Sequence, residues 1–283
     1  VNIMAAYGRS WRYVNHKKIS MDRKNYLRKI RNNKIAVIVT QIVILLGIII
    51  LWEVLANYGM IDSFIASQPS RIWNTFLNLS SNHLVEHIGV TVLETVIGFT
   101  LGTLLGIIVA ILLWWSKFLS KVMEPFLVIL NSLPKVALGP IIIIWVGAGM
   151  PAIIVMALSI SLIVTILENV NGFLNTDKEK IKMAKTFKAN KFQLLTKIVI
   201  PSNIPTFINS LKVNIGLSLV GVISGEFLVS KAGLGYLIVY GGQVFQLDLV
   251  MASVVILAIV SALMYQGVVL FEKLLMKTKK FSS

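Results

Sequence analysis

The feature that most constrains this chain is a series of six apolar blocks, each of about 20 residues, the length an α-helix needs to cross ~30 Å of hydrocarbon. They are Ile35–Leu55, Thr91–Leu113, Pro125–Val146, Pro151–Leu167, Ile204–Gly225 and Leu249–Phe271. In lipid every backbone N–H and C=O must find its partner inside the segment, so blocks of this length specify helices. The chain is therefore read as an all-α membrane protein with six transmembrane helices. A content of 56% hydrophobic against 14% charged residues removes a water-soluble domain of this length from consideration. The first block is too long for a signal-peptide core, and no small-residue cleavage site follows it, so it is read as a retained helix.

The net charge of +15 suggests nucleic acid at first sight. The basic residues flank the apolar blocks, however, and form no soluble face with interleaved aromatics, so they report topology and no nucleic-acid partner is expected. With the N-terminus inside, 23 of the 27 Lys and Arg fall on inside segments, Arg71 and Lys231 fall outside, and Lys135 and Lys212 lie within spans. This asymmetry predicts a multi-pass protein of the bacterial inner membrane with both termini cytoplasmic. It divides the chain into a basic cytoplasmic arm, residues 1–34, and a transmembrane domain, residues 35–283, whose longest inside loop runs over 169–203. Met21-Asp22-Arg23-Lys24 reads as an ordinary start, which makes residues 1–20 an upstream extension. Between the first two blocks, residues 67–88 are polar and mildly amphipathic.

Chemistry-bearing residues are few. The chain has no Cys, and it contains no Gly-x-x-x-x-Gly-Lys-Ser/Thr segment to cradle ATP phosphates, so energy must come from a partner or an ion gradient. No cofactor is expected. His83, Glu86 and His87 fit the inverted zinc-protease spacing, but the remaining histidine, His16, lies across the membrane by this topology, so an exposed polar helix is the better reading. Gly98, Gly102 and Gly106 repeat every four residues and put small side chains on one helical face, where a neighbouring helix can approach closely. Lys135 stands about ten residues into the third span beside Pro134, where a kink should free carbonyls. A buried ammonium there lines a translocation path, pairs with Glu94 or Glu168, or snorkels to the interface. Lys212 and Glu226, in the fifth span, are the other pathway candidates. Glu226 lies beside Gly225 near the outer end, as a gate, a partner contact or a helix-end polar group.

Residues 178–197 carry seven basic side chains. Ile181, Ala184, Phe187, Phe192, Leu195, Ile198 and Val199 recur at three-to-four spacing, which predicts one amphipathic cytoplasmic helix whose apolar face wants either a partner groove or the lipid surface.

Three stretches carry a family resemblance. They are Asn131-Ser132-Leu133-Pro134-Lys135-Val136-Ala137-Leu138-Gly139-Pro140 running on to Trp145-Val146-Gly147-Ala148-Gly149; Lys182-Met183-Ala184-Lys185-Thr186-Phe187-Lys188-Ala189 with Pro201 and Pro205; and Gly225-Glu226-Phe227-Leu228 with Gly233-Leu234-Gly235-Tyr236. In order and spacing, over roughly residues 60–275, the chain resembles the binding-protein-dependent transport permeases, and most closely their nitrate, sulfonate and taurine branch. The resemblance implies a type I ABC importer permease fold, a homodimer, cytosolic ATP-binding-cassette ATPase subunits and an extracytoplasmic substrate-binding protein. It also implies no catalysis in this chain and a coupling loop at Lys182, Met183, Ala184, Thr186, Phe187, Lys188, Ala189 and Pro201. The family usually has Glu at the place of Lys182 and Gly at that of Lys188, and a position often basic in the second helix is Glu94 here. Two lysines in a path suit a small anion such as nitrate, an alkylsulfonate or taurine, while similar chains move thiamine-type pyrimidines and flavins. The rivals are a gradient-driven secondary transporter, which should show internal repeats, and a membrane metalloprotease on His83, Glu86 and His87, which should bind zinc.

Overall fold

The computed structural model describes the backbone of residues 3–80 and 83–280 and the side chains of residues 23–78 and 83–274. The side chains of Arg9, Arg12, His16, Lys17, Lys18 and Met21 in the basic arm, and of the three last tail lysines, lie outside the described residues. Among the described residues every regular element is helical.

One unit comprises residues 1–63 and 68–70. Its body is a single helix, α1 (Ile3–Asn57), so the basic arm and the first apolar block are continuous. From residue 23 onward this helix is exposed almost throughout, its apolar surface left for lipid. The Ser70 amide and hydroxyl donate to Glu53 at 3.1 and 2.9 Å.

The second unit holds residues 64–67 and 71–283. The polar stretch before the second span forms α2 (Ser63–Ala66) and α3 (Pro69–Ser80), and the span itself is α4 (Leu84–Trp115). Ser116 accepts the Leu119 N–H at 3.2 Å and caps α5 (Lys117–Ser132). The third apolar block is not one helix. After α5 the chain passes through Pro134 into a 3-10 turn, Lys135–Leu138, and then α6 (Gly139–Val146), bent by 87° from α5. A kink was expected at Pro134, but the break is complete: Pro134 removes a backbone donor and crowds the turn before it, and Pro140, in the first turn of α6, suits a fresh helix start. Among the described residues five helices are thus long and apolar enough to cross a membrane, or six with the bent pair counted as one span.

α7 (Met150–Leu174) packs along its length between α4 and α11 (Ile204–Val229). Pro151 and Pro205 stand in the first turns of these helices, where a missing N–H costs nothing. A Cβ on Gly98, Gly102 or Gly106 would meet Ala157, Ser161 and Thr165 in turn, so α4 and α7 run parallel at close approach. Gly225 faces Ile153 and Ser210 faces Asn169, so α11 runs antiparallel to α7. The outer layer is α12 (Leu234–Gln243) and α13 (Leu247–Lys280), packed on each other and on α11. The links between α7 and α11 are α8 (Lys178–Thr186), α9 (Lys191–Leu194), a π turn (Leu195–Val199) and α10 (Ile200–Ser202).

Candidate functional site

Two regions carry chemistry: the connector between α7 and α11, and a seam of buried polar side chains that ends at Glu226. In the connector, Asp177 accepts the Glu179 N–H at 2.9 Å and starts α8. Lys188 ends it by taking φ 57°, with the Lys188 N–H donating to the Lys185 carbonyl at 2.9 Å and the Ala189 N–H to the Ala184 carbonyl at 3.1 Å. This left-handed closure is one that glycine usually supplies, and here a lysine adopts it. A reciprocal pair, Asn190 with Gln193, then opens α9. The single helix expected over residues 178–197 is therefore two, and the expected common apolar face is divided. Phe187 and Phe192 project outward, 80% and 62% exposed, with Met183, four residues before Phe187, also exposed. Leu194, Leu195 and Val199 are buried, the last two in a cluster with Ala110, Leu113, Leu127, Ile166 and Phe173.

The π turn thus plugs the connector into the end of the helix bundle, and the Lys191 ammonium donates to the Trp115 carbonyl at 3.0 Å, satisfying an orphan acceptor at the end of α4. Lys182, Thr186 and Lys188 are exposed, Ala184 and Ala189 half-buried, and Pro201 is exposed in α10. The outcome is a fixed base with an apolar tip among lysines.

The seam runs through the interior of the bundle. Asn214 donates to Thr103 at 2.6 Å, and Asn169 to Ser210 at 3.2 Å and to the Thr165 carbonyl at 2.7 Å. Asn203 donates to Thr176 at 2.8 Å. Each cross-helix bond of this kind contributes about 0.6 kcal/mol in a membrane bundle, so the seam sets register more than it sets total stability. At its far end Glu226, 1% exposed, accepts the Thr91 hydroxyl at 2.7 Å and the Gly235 N–H at 2.5 Å. The Leu234 N–H donates to Thr91 Oγ1 at 2.9 Å and the Gly233 N–H to His87 Nδ1 at 2.9 Å. Side chains of α4 and α11 thus satisfy the orphan amides that open α12. Gly233, at φ 120°, leaves no room for a side chain, because a Cβ there would lie 2.5 Å from the Glu226 carboxyl. Glu94, three residues beyond Thr91 on α4, is also buried, at 4% exposure.

The sequence-predicted polar residues are dispersed. Lys135 pairs with neither Glu94 nor Glu168; its ammonium donates to the Asn131 carbonyl at 2.6 Å, an acceptor that would otherwise be left over where the helix breaks. Lys212 forms an ion pair with Glu272 on α13 at 2.7 Å, both side chains 25% exposed. Lys212 and Glu226 are 14 residues apart on one helix, about 21 Å along its axis. Removing one partner of the Lys212–Glu272 pair leaves a half-buried charge. Lys212→Met or Glu272→Met alone is expected to destabilise the chain by about 1–3 kcal/mol, and the double substitution should recover most of that loss in detergent melting curves. Additive effects of the two substitutions would show that the pair carries no coupling.

Sequence reading missed Thr91, Asn169, Asn203, Asn214 and Glu272. A signal for the seam was present along α11, where Ser210, Asn214, Ser218, Gly221 and Gly225, following Asn203 just before the helix, recur at helical spacing within an apolar span. The zinc-protease pattern dissolves: His83 pairs with Glu86 at 3.3 Å on an exposed surface, while His87 Nδ1 already takes the Gly233 N–H. Among the described residues no three His, Asp or Glu side chains converge as metal ligands.

Comparison with known proteins agrees with this architecture. Residues 102–278 match the family described as the binding-protein-dependent transport system inner membrane component. A Haemophilus influenzae protein carrying the name ABC transporter permease protein is 32% identical over 218 residues, 77% of this chain and 89% of that one. A Bacillus subtilis protein named for aliphatic sulfonates transport is 27% identical over 231 residues, 81% of this chain and 84% of that one. The solved structure of inward-facing MetNI methionine ABC transporter aligns with a TM-score of 0.53 at 17% identity, over 65% of this chain and 95% of that one. By the length of this family match, and by its agreement with the helical order above, the chain belongs to the binding-protein-dependent transport system inner membrane components, the permease subunits of ABC transporters.

Proposed function

We propose that this chain forms the membrane path of an ATP-driven, binding-protein-dependent importer of a small anion, with an alkylsulfonate or taurine as the substrate class. It works as a homodimer on two cytosolic ATPase subunits, receives substrate from an extracytoplasmic binding protein, and keeps both termini in the cytoplasm. The observation that carries this reading is the connector: an apolar tip at Met183, Phe187 and Phe192 among exposed lysines, held on a buried base at Leu195 and Val199. Such a tip seats in a groove, and its buried base transmits the push of ATP-driven closure to α4, α5, α7 and α11. Lys182, Thr186, Lys188, Ala184 and Ala189 frame the tip, and Pro201 starts the stiff return into α11. Lys135 lines the path at the break between α5 and α6, Lys212 stands nearer the connector, and Glu226 acts on the path by holding α12.

Affinity purification of the chain from its native membrane tests the connector. The wild type is expected to bring down an ATPase, and Phe187→Asp to lose it while the spans keep their melting temperature. Retention of the ATPase by Phe187→Asp would remove the coupling role.

A second substrate reading rests on the Lys212–Glu272 ion pair, which leaves the path one net positive charge poorer than the sequence implied. An uncharged heterocycle then fits as well, and relatives named for formylaminopyrimidine and riboflavin transport share this architecture's sequence pattern at 25% and 28% identity. Competition of labelled taurine uptake by alkylsulfonates, and not by formylaminopyrimidine, separates the two. Family membership displaces the gradient-driven carrier, and the engaged His87 displaces the metalloprotease.

A further inference from the structure

A cleft of about 300 Å³ lies where α3 approaches the start of α13, at the small end of the range for ligand sites. Phe64, Arg71, Thr75, Phe245, Gln246 and Asp248 line it. Arg71 supplies a positive charge and Asp248 a negative one, yet among the described residues neither has an ion-pair partner. Asp248 Oδ1 accepts the Ser67 hydroxyl at 2.7 Å, which leaves its second oxygen available. Two of the four non-glycine residues with positive φ among the described residues flank the cleft, Ser67 at 57° and Phe245 at 56°. Strain of this kind persists where the surroundings hold it, and it keeps Phe245 projecting at 73% exposure.

The level of the cleft follows from the chain itself. Asp248 immediately precedes the apolar run of α13, which begins at Leu249, so the two charges stand at the boundary between hydrocarbon and headgroups. Phe64 on its wall and Ile65 beside it in sequence are 57% and 65% exposed, and Trp73, on the opposite face of α3 from Arg71 and Thr75, is 62% exposed, an amphipathic ring of the kind enriched at that depth. Ile72, only 8% exposed, anchors α3 from beneath.

We propose that this cleft binds the headgroup of a zwitterionic phospholipid with a primary ammonium, phosphatidylethanolamine, from the leaflet on the α12 side. The guanidinium of Arg71 takes the phosphate, with Thr75 and Gln246 as additional hydrogen-bonding groups, and Asp248 accepts from the ammonium. A purely anionic headgroup meets the Asp248 carboxylate and is disfavoured. A choline headgroup satisfies Arg71 but has no N–H for Asp248. The acyl chains leave past Phe245 and Phe64 into the bilayer.

Native mass spectrometry of the full-length chain, released from detergent containing equal amounts of phosphatidylethanolamine, phosphatidylglycerol and phosphatidylcholine, tests this. Phosphatidylethanolamine is expected to be retained preferentially. Arg71→Gln should lower its retention about tenfold, the effect of losing one charge-assisted hydrogen bond. Asp248→Asn keeps the acceptor for Ser67 and should lower phosphatidylethanolamine retention similarly while leaving phosphatidylcholine unchanged. Arg71→Lys, which keeps the charge, should restore part of the Arg71→Gln loss. Equal retention of the three lipids by the wild type, or phosphatidylethanolamine retention unaltered in both variants, overturns the proposal. So does displacement of the lipid by soluble phosphoethanolamine at equal concentration, which would mark a site for a free solute. If Arg71→Gln weakens docking of the extracytoplasmic binding protein and leaves lipid retention intact, the cleft is a protein contact and the lipid assignment fails.

Discussion

Glu226→Ala is expected to lower the melting temperature of the detergent-solubilised chain by about 6–12 °C, a loss of about 3 kcal/mol in a domain of this size. The figure comes from what the alanine leaves behind. The Gly235 N–H loses its acceptor, the Thr91 hydroxyl loses the group to which it donates, and a void opens beneath Gly233. Each buried, unsatisfied donor costs about 1–3 kcal/mol, and no water-filled surface is close, because Glu226 is 1% exposed. Glu226→Gln separates shape from charge: its carbonyl can still accept from Gly235 and its amide can donate to Thr91 Oγ1, so the loss should be about 1 kcal/mol. Hydrogen exchange gives the local readout. Amides of Gly233, Leu234 and Gly235 should lose protection in Glu226→Ala and keep most of it in Glu226→Gln. Unchanged protection in the alanine variant would show that α12 is held by its packing and by the Thr91 and His87 bonds, without Glu226.

The spans were legible because a bilayer leaves a chain few choices: a 20-residue apolar block must close its own hydrogen bonds, so Leu84–Trp115, Met150–Leu174 and Ile204–Val229 contain the blocks read from sequence. The glycine repeat on α4 was legible for a related reason, since a four-residue period places Gly98, Gly102 and Gly106 on one face whatever the neighbour. What was not legible depends on partners distant in sequence. Glu226 finds Thr91 135 residues away, and Lys212 finds Glu272 on another helix, so a lone charge in a span reads as a pathway residue until its neighbour is placed. The connector failed differently. Periodicity put Phe187 and Phe192 on one face with Leu195 and Val199, but one residue, Lys188, turns left-handed and resets the phase between the two halves. The 87° break after α5 was foreseen in place and not in size: Pro134 announces a kink, and the 3-10 turn that follows, with Pro140 shortly after it, sets the angle.

The two helix contacts centred on Ala157 should respond differently to the addition of one methyl group. A Cβ on Gly98 would lie 2.8 Å from the Ala157 Cβ, so the obstruction is another methyl. A Cβ on Gly221 would lie 2.5 Å from the Ala157 Cα and 3.1 Å from both the Ala157 nitrogen and the Met156 carbonyl oxygen, so the obstruction there is backbone. Overpacking a close interface costs about 1–3 kcal/mol when side chains can shift, and more when a whole helix must move. Gly98→Ala is accordingly expected to destabilise by about 1–3 kcal/mol, and Ala157→Gly, which removes the opposing methyl, should recover a large part of it in the double variant. Gly221→Ala should cost more, because α7 and α11 cannot separate without straining the Asn169–Ser210 bond and the packing of Gly225 on Ile153. Ala157→Gly should not rescue it, since the clashing atoms remain. Detergent melting curves of the three single and two double variants decide the matter through the coupling energies, which should be large for the Gly98 pair and near zero for the Gly221 pair. Equal rescue of both would mean that the helices adjust their separation freely, and that the small residues along α4, α7 and α11 do not set it.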